Sequence, residues 1–314
     1  MSPAATERGV PPGSREAVPG ARKREGPIGL SVTSVMLPRW TLDETFDKLA
    51  AHGFGGLELR VRPNPDDPNE TPSYWGRSVA DVSPANAMAK VGAIRAAVKR
   101  TGVRVVALSP RATLGDFDEV DRLAKAALAI DPDRPPLIRV DPARHDRNKP
   151  YLPQFLKVRA LFAEQAEKVR PLGVKVIYET HVGTVAVTAT RARALLDGID
   201  PAAVGAIYDI PNMIRTGLED TRMGLETLGP YLAHCHIGGS KPVIQKTDAD
   251  GRDVWSWEMC DVRRAMADIP QIVADFKHVG YSGWLSLEEF GPGEDEAKLR
   301  DQGAYLRTLL STSA

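Results

Sequence analysis

Val174-Lys-Val-Ile-Tyr-Glu179-Thr-His181 is the stretch whose reading decides the fold. It is a β-branched run of the kind that fills a strand buried on both faces. It ends in a carboxylate and, two residues later, an imidazole. Three later runs share the design: Gly205-Ala-Ile-Tyr-Asp209, Leu232-Ala-His234-Cys-His236 and Trp284-Leu-Ser-Leu-Glu288. Glu179 and Asp209 are 30 residues apart, Asp209 and His236 are 27 apart, and His236 and Glu288 are 52 apart. The first two intervals equal one strand–helix unit. The third is one unit plus an insertion, which Ser240 to Asp268 supplies. In a parallel sheet this spacing sets the four side chains at one height on four consecutive strands.

The rest of the chain repeats the same alternation. Strands are expected at 28–34, 56–61, 103–109 and 136–141, before the four just quoted. Helices are expected at 41–50, 84–101, 118–130, 151–171, 189–198, 218–229, 270–278 and 295–310. Thr41 followed three residues later by Glu44 has the form of a capping box. Eight strand–helix pairs predict an α/β protein, a (β/α)8 TIM barrel over residues 27–314. A doubly wound open sheet fits less well, because no G-x-G-x-x-G follows the first strand. Residues 1–26 are rich in Pro, Gly, Ala, Arg and Glu, and are expected to be a disordered tail.

Composition narrows the function classes. Basic and acidic residues are equal at 41 each, which removes an overall electrostatic case for nucleic acid or an anionic membrane as partner. The two cysteines, Cys235 and Cys260, form neither a disulfide framework nor a CxxC site, which suggests a reducing, cytoplasmic location. No apolar run reaches the roughly 18 residues of a membrane span, and no secretory signal is expected at the N-terminus.

A barrel of this kind carries its active site at the C-terminal mouth, so the four strand-end residues read as one centre. Glu179, Asp209, His236 and Glu288 form a hard, oxygen-rich donor set for one divalent metal. Mn²⁺ is the first expectation, with Mg²⁺, Zn²⁺, Co²⁺ or Fe²⁺ as alternatives. His234 shares the parity of His236 and is the alternative ligand or a supporting histidine. His181 could contact substrate or shape its loop. Arg60 and Arg139 could line the barrel and bind substrate oxygens, or pair with Glu58 or Asp141. Trp255 and Trp257 would face one way on an extended segment, as a sugar-stacking surface, an apolar lid or an oligomer contact. Glu289 and Cys235 point away from the centre and read as structural.

Tyr178-Glu-Thr-His181, Tyr208-Asp-Ile-Pro-Asn212, His234-Cys-His236 and Gly280-Tyr-Ser-Gly-Trp-Leu-Ser-Leu-Glu288 together resemble the sugar phosphate isomerase/epimerase family, the xylose isomerase-like TIM barrels. The resemblance covers about residues 27–312. It implies that Glu179, Asp209, His236 and Glu288 hold the metal. By similarity to the family's ketose 3-epimerases, it also implies that Glu179 and Glu288 are the catalytic acid/base pair on opposite faces of the substrate carbon. Three positions depart from those epimerases. Asn212 stands where they have a histidine, Pro242 beside Lys241 where they have a sugar-binding arginine, and Val185 where they have a glutamate. A free ketohexose is therefore not the expected substrate. His181, Asn212, Lys241, Arg139, Arg60, Trp255 and Trp257 are the candidate substrate-binding residues for a larger or modified sugar or a cyclitol.

The resemblance implies a metal-dependent isomerase or epimerase that abstracts a proton next to a carbonyl through an enediolate. The alternative is a lyase or dehydratase acting on a keto-sugar, 3-keto-glycoside or cyclitol, like the inosose and dehydroshikimate dehydratases. An endonuclease-IV-like activity is disfavoured, because a multinuclear zinc site needs more histidines than the six present supply and no basic groove is evident. A homo-oligomer through exposed barrel helices is compatible with the pattern.

Overall fold

The computed structural model describes residues 26–312 apart from 142 and 218. All but the last residue of the tail expected at 1–26 lies outside the described residues. Eight parallel strands close into a barrel: β1 (Gly29–Thr33), β2 (Gly56–Arg60), β3 (Arg104–Ser109), β4 (Leu137–Val140), β5 (Val176–Glu179), β6 (Val204–Asp209), β7 (Leu232–Ile237) and β10 (Trp284–Leu287). Two further strands, β8 (Gly239–Thr247) and β9 (Asp253–Cys260), pair with each other as an antiparallel hairpin between β7 and β10. The expected (β/α)8 barrel is thus present.

The helices cover the outside: α1 (Leu42–Ala51), α2 (Ala87–Thr101), α3 (Phe117–Ile130), α4 (Tyr151–Val169), α5 (Ala189–Leu196), the one-turn α6 (Ile210–Met213), α7 (Thr221–Leu228), α8 (Ile269–His278) and α9 (Asp295–Ser311). Their starts are chemically marked. Thr41 and Glu44 cap α1 reciprocally, as their spacing predicts. Asp116, Thr188, Asp220 and Asp268 cap α3, α5, α7 and α8 by accepting a backbone N–H. Two starts fall three residues later than the sequence suggests. In front of α2, Ser83 and Asn86 bond each other's backbone N–H and hold a turn. The α7 helix begins where Asp220 can cap it. Among the described residues no helix is long and apolar enough to cross a membrane.

Alternation along the strands separates the two faces. Leu57, Leu59, Val105, Val140, Val176, Tyr178, Val204, Cys235, Leu285 and Leu287 join the continuous core between strands and helices. The alternate residues point into the lumen. At its floor Trp284 lies across glycines. A Cβ on Gly29 would sit 2.4 Å from its ring, and one on Gly56 2.8 Å from it, so only glycine leaves room for this plug. Ile177, Ile207 and Ala233 pack together inside the lumen, and beyond them the inward positions become polar and lead to the mouth.

The hairpin fills the interval expected to be a long loop. Its turn contains Gly251 at φ 81°, preceded by Asp250. Its root is pressed against the barrel. A Cβ on Gly238 would lie 2.1 Å from the Glu288 carbonyl, and one on Gly239 2.2 Å from the Cys260 carbonyl.

Candidate metal centre

Four lumen side chains converge at the mouth. Glu179 ends β5, Asp209 ends β6, His236 lies one residue before the end of β7, and Glu288 follows β10, its N–H bonded to the Ile237 carbonyl. His236 Nδ1 lies 3.0 Å from Asp209 Oδ2, 3.3 Å from Glu179 Oε1 and 3.5 Å from Glu288 Oε2. One donor atom from each of the four lies within 4.8 Å of the others, and all four residues are buried.

Neighbouring bonds hold these donors in place. Asp209 Oδ1 accepts the Asn212 N–H at 2.8 Å and so caps α6, which leaves Oδ2 facing His236. The Asp209 N–H donates to Thr180 Oγ1. Asn212 Oδ1 accepts the Val182 N–H at 3.3 Å and ties the loop after β6 to the loop after β5. Arg139 Nη1 donates to Glu179 Oε2 at 2.9 Å, and its Nη2 lies 3.8 Å from Asp141 Oδ1.

Sequence reasoning missed Glu58, which reaches across the lumen from β2. Its Oε2 lies 3.0 Å from His236 Nε2 and 3.1 Å from His234 Nε2. A carboxylate on Nε2 favours the tautomer that carries its proton there and keeps the Nδ1 lone pair for a cation. The only signal in the sequence was Glu58's parity with Arg60, a carboxylate at an inward position of an apolar strand.

The donor set fits a divalent cation. Three carboxylates crowd one imidazole nitrogen in a buried site, an arrangement that is costly unless positive charge balances it. The titration of the groups carries the same strain. Burial, with Asp209, Glu179 and Glu58 adding to it and His236 opposing, pushes Glu288 up to about 8. Burial also raises Asp209, against the pull of His236. Burial would raise Glu179 too, but Arg139 and His236 outweigh it and hold that carboxyl well below its usual range. For His236, burial is overcome by Glu288, Glu58 and Asp209, and its pKa rises well above normal. Burial lowers that of His234 in spite of Glu58.

The other expected site residues are spread around the mouth. His181 follows β5, with Nδ1 2.8 Å from the Val182 carbonyl. Arg60 is buried and donates to the carbonyls of Arg62 and Gly76, so it holds the loop after β2 rather than pairing with Glu58. Lys241 is held across the hairpin by Glu258 at 2.7 Å. Trp257 and Trp255 oppose Pro242 and Ile244 on one hairpin face, and Trp255 is 59% exposed. Arg215, after α6, lies over the Trp257 ring at 6.0 Å, donates to Ser240 Oγ and acts electrostatically on Asp209. It links hairpin and centre and was not anticipated, nor were Arg62 and Arg111. A cleft of about 340 Å³ opens on the adjoining rim between Arg39, Tyr74 and Phe290, and none of the four converging residues lines it.

A family model described as xylose isomerase-like TIM barrel matches residues 46–309. An inosose dehydratase of Lacticaseibacillus casei is 25% identical over 130 residues, 39% of this chain and 42% of that protein. The match thus spans less than half the length of that curated relative. The solved structure of 3-keto-D-glucoside 4-epimerase YcjR from E. coli superposes with a TM-score of 0.66 at 16% identity, over 90% of this chain and 99% of that one. The IOLI protein with a bound zinc atom superposes with a TM-score of 0.67 at 14% identity, over 90% and 98% of the two chains. At such identities the two structures establish the likeness of fold.

Proposed function

Because the chain belongs to the xylose isomerase-like TIM barrel family, we propose that it is a divalent-metal-dependent sugar isomerase or epimerase that moves a proton next to a carbonyl. The observation that carries this reading is the pair Glu179 and Glu288, two buried carboxylates brought to one imidazole nitrogen from β5 and from the end of β10. Both are the right groups for general acid–base work. A cation held by Glu179, Asp209, His236 and Glu288 would supply Lewis-acid polarisation of a carbonyl oxygen, with Mn²⁺ the first choice and Mg²⁺, Zn²⁺, Co²⁺ or Fe²⁺ as alternatives.

The side chains divide the remaining work. Arg139 keeps Glu179 ionised and oriented, ready to accept the acidified proton. Glu288 is the second acid–base group: with its own proton displaced by the cation, it takes one from solvent and gives it to the substrate enediolate, at the same carbon in epimerisation or at the neighbouring carbon in isomerisation. A positioned base of this kind contributes about 10²–10⁴-fold. Asp209 and His236 stay put, fixed by Asn212 and Thr180 on one side and by Glu58 on the other. His181, Asn212 and Arg139, which adjoin the four donors, are the residues we assign to sugar or cyclitol hydroxyls. Lys241, Trp257 and Trp255 would meet only a substrate that extends to the hairpin. A cytoplasmic location fits the cysteine usage, and an oligomer through the outer helices is compatible with it.

The inosose dehydratase match favours a second reading, in which the same proton removal is followed by loss of water from a cyclitol or keto-sugar. A metal-supplemented reaction in D₂O with ketoses, inososes and 3-keto-glycosides tests both. Solvent deuterium in recovered substrate or epimer is expected for the first reading, and a new enone for the second. Neither product from metal-loaded protein across the three classes would sink both.

A further inference from the structure

The metal-type acids occupy one side of the lumen, and the other side carries arginines. Arg60 and Arg62 follow Glu58 at alternate positions of β2 and its extension, Arg111 follows Ser109 in the same way after β3, and Arg139 is on β4. Arg60, Arg62 and Arg139 are each more than nine-tenths buried. Arg62 donates to the Ser109 carbonyl and hydroxyl, Arg60 to two carbonyls, and Arg111 to the Trp75 carbonyl. Among the described residues none of these three has a carboxylate within 4.0 Å. The Nε atoms of Arg60 and Arg139 are buried without a hydrogen-bond partner.

Gathering guanidinium groups in this way is unfavourable unless something negative joins them. Burial, followed by the charges of Arg139, Arg111 and Arg60, brings Arg62 down to about 9, and only Glu288 opposes that. Burial and Arg111 lower Arg60, while Asp81 opposes from beyond ion-pair distance. The acids of the centre do not absorb the excess. Arg139 is engaged by Glu179 and Asp141, whereas Arg60, Arg62 and Arg111 have no carboxylate at ion-pair distance among the described residues.

We infer that this arginine crescent binds an anionic substituent, a carboxylate or a phosphoryl group, on the same sugar-like molecule whose carbonyl faces Glu179 and Glu288. The inference rests on the proposed function for the identity of the reacting end, and adds the charge of the other end. Guanidinium groups suit this task, since their fork donates two parallel bonds to either oxyanion.

The test is calorimetric titration of the full-length, metal-loaded protein with D-glucose, D-glucuronate and D-glucose 6-phosphate, probes that share one pyranose frame. At least one anionic probe is expected to bind about tenfold or more tighter than glucose. The preference should weaken as salt is raised, and the better anion identifies the source. Arg62→Met and Arg111→Gln should each remove most of the preference while leaving metal affinity unchanged. Arg111 is exposed, so its variant keeps the fold even where loss of the buried Arg62 does not. Equal binding of the three probes, binding of none, or a preference that survives Arg111→Gln would overturn the inference. Deuterium exchange into a ketose by a protein that binds the three probes equally would sink this inference alone. Anion binding without any solvent exchange or enone would instead sink the proposed function.

Discussion

The two sides of the lumen are built by the same rule and carry opposite charge. On β5, β6, β7 and after β10 the last inward position is Glu179, Asp209, His236 or Glu288. On β2, β3 and β4 the last inward positions, or those just beyond the strand, are Arg60, Arg62, Arg111 and Arg139. Strand geometry aims both sets at one space, so the sequence at these seven strand ends decides the chemistry of the mouth. The halves meet twice, at the Arg139–Glu179 ion pair and at Glu58, an acid from the arginine side that reaches the imidazole of the other.

Substitutions can break this division. The largest effect is expected on the acidic side. Asp209→Ala or His236→Ala should lower metal affinity by more than roughly 100-fold, beyond the range seen for supporting residues. Metal content after dialysis checks this, and unchanged content would remove the centre from these residues. Glu58→Gln should cost about 10–100-fold in metal affinity, because it loosens the hold on His236 without touching the four donors. Wild-type affinity in that variant would leave Glu58 only a structural role.

Acidity is the next lever. Glu288 has its pKa raised to about 8, so it is protonated at neutral pH before a cation binds. Cation binding must displace that proton. Apparent metal affinity should therefore rise by at least about tenfold per pH unit between roughly 6 and 8, with His236, whose pKa is also raised, adding to the slope. Titration in buffers of different ionisation enthalpy measures the proton released. The smallest effect belongs to the arginine side, where Arg111→Gln should change metal affinity by less than about twofold, since an exposed charge is screened by salt. A larger loss would mean that the two sides are not separate.

These asymmetries explain what could be read from the sequence. Glu179, Asp209, His236 and Glu288 announce themselves because each closes an apolar run, and the spacing of those runs reveals the barrel. Glu58 sits in the middle of its strand, and its partners lie 176 and 178 residues away, so no local pattern links them. Arg62 and Arg111 lie just past their strands, where inward direction depends on how the strand continues. The hairpin had a local signal in Asp250-Gly251, but Pro242 and the polar residues on both faces hid its strands. Lys241, a substrate-binding candidate in the sequence, is paired with Glu258, which faces it only once those strands align.

The bridge from Glu58 to His236 also bears on how the barrel assembles. Strands β2 and β7 are not neighbours in the ring, so the carboxylate and the imidazole meet only when the chain between them has been laid down as strands and helices. Contacts so distant along the chain come after the local ones, once the entropy of closing the long loop has been overcome. Orientation of the imidazole by Glu58 therefore requires the closed ring, whereas β5, β6, β7 and β10 are contiguous, so a partly closed barrel could gather the four donors without the carboxylate that orients His236.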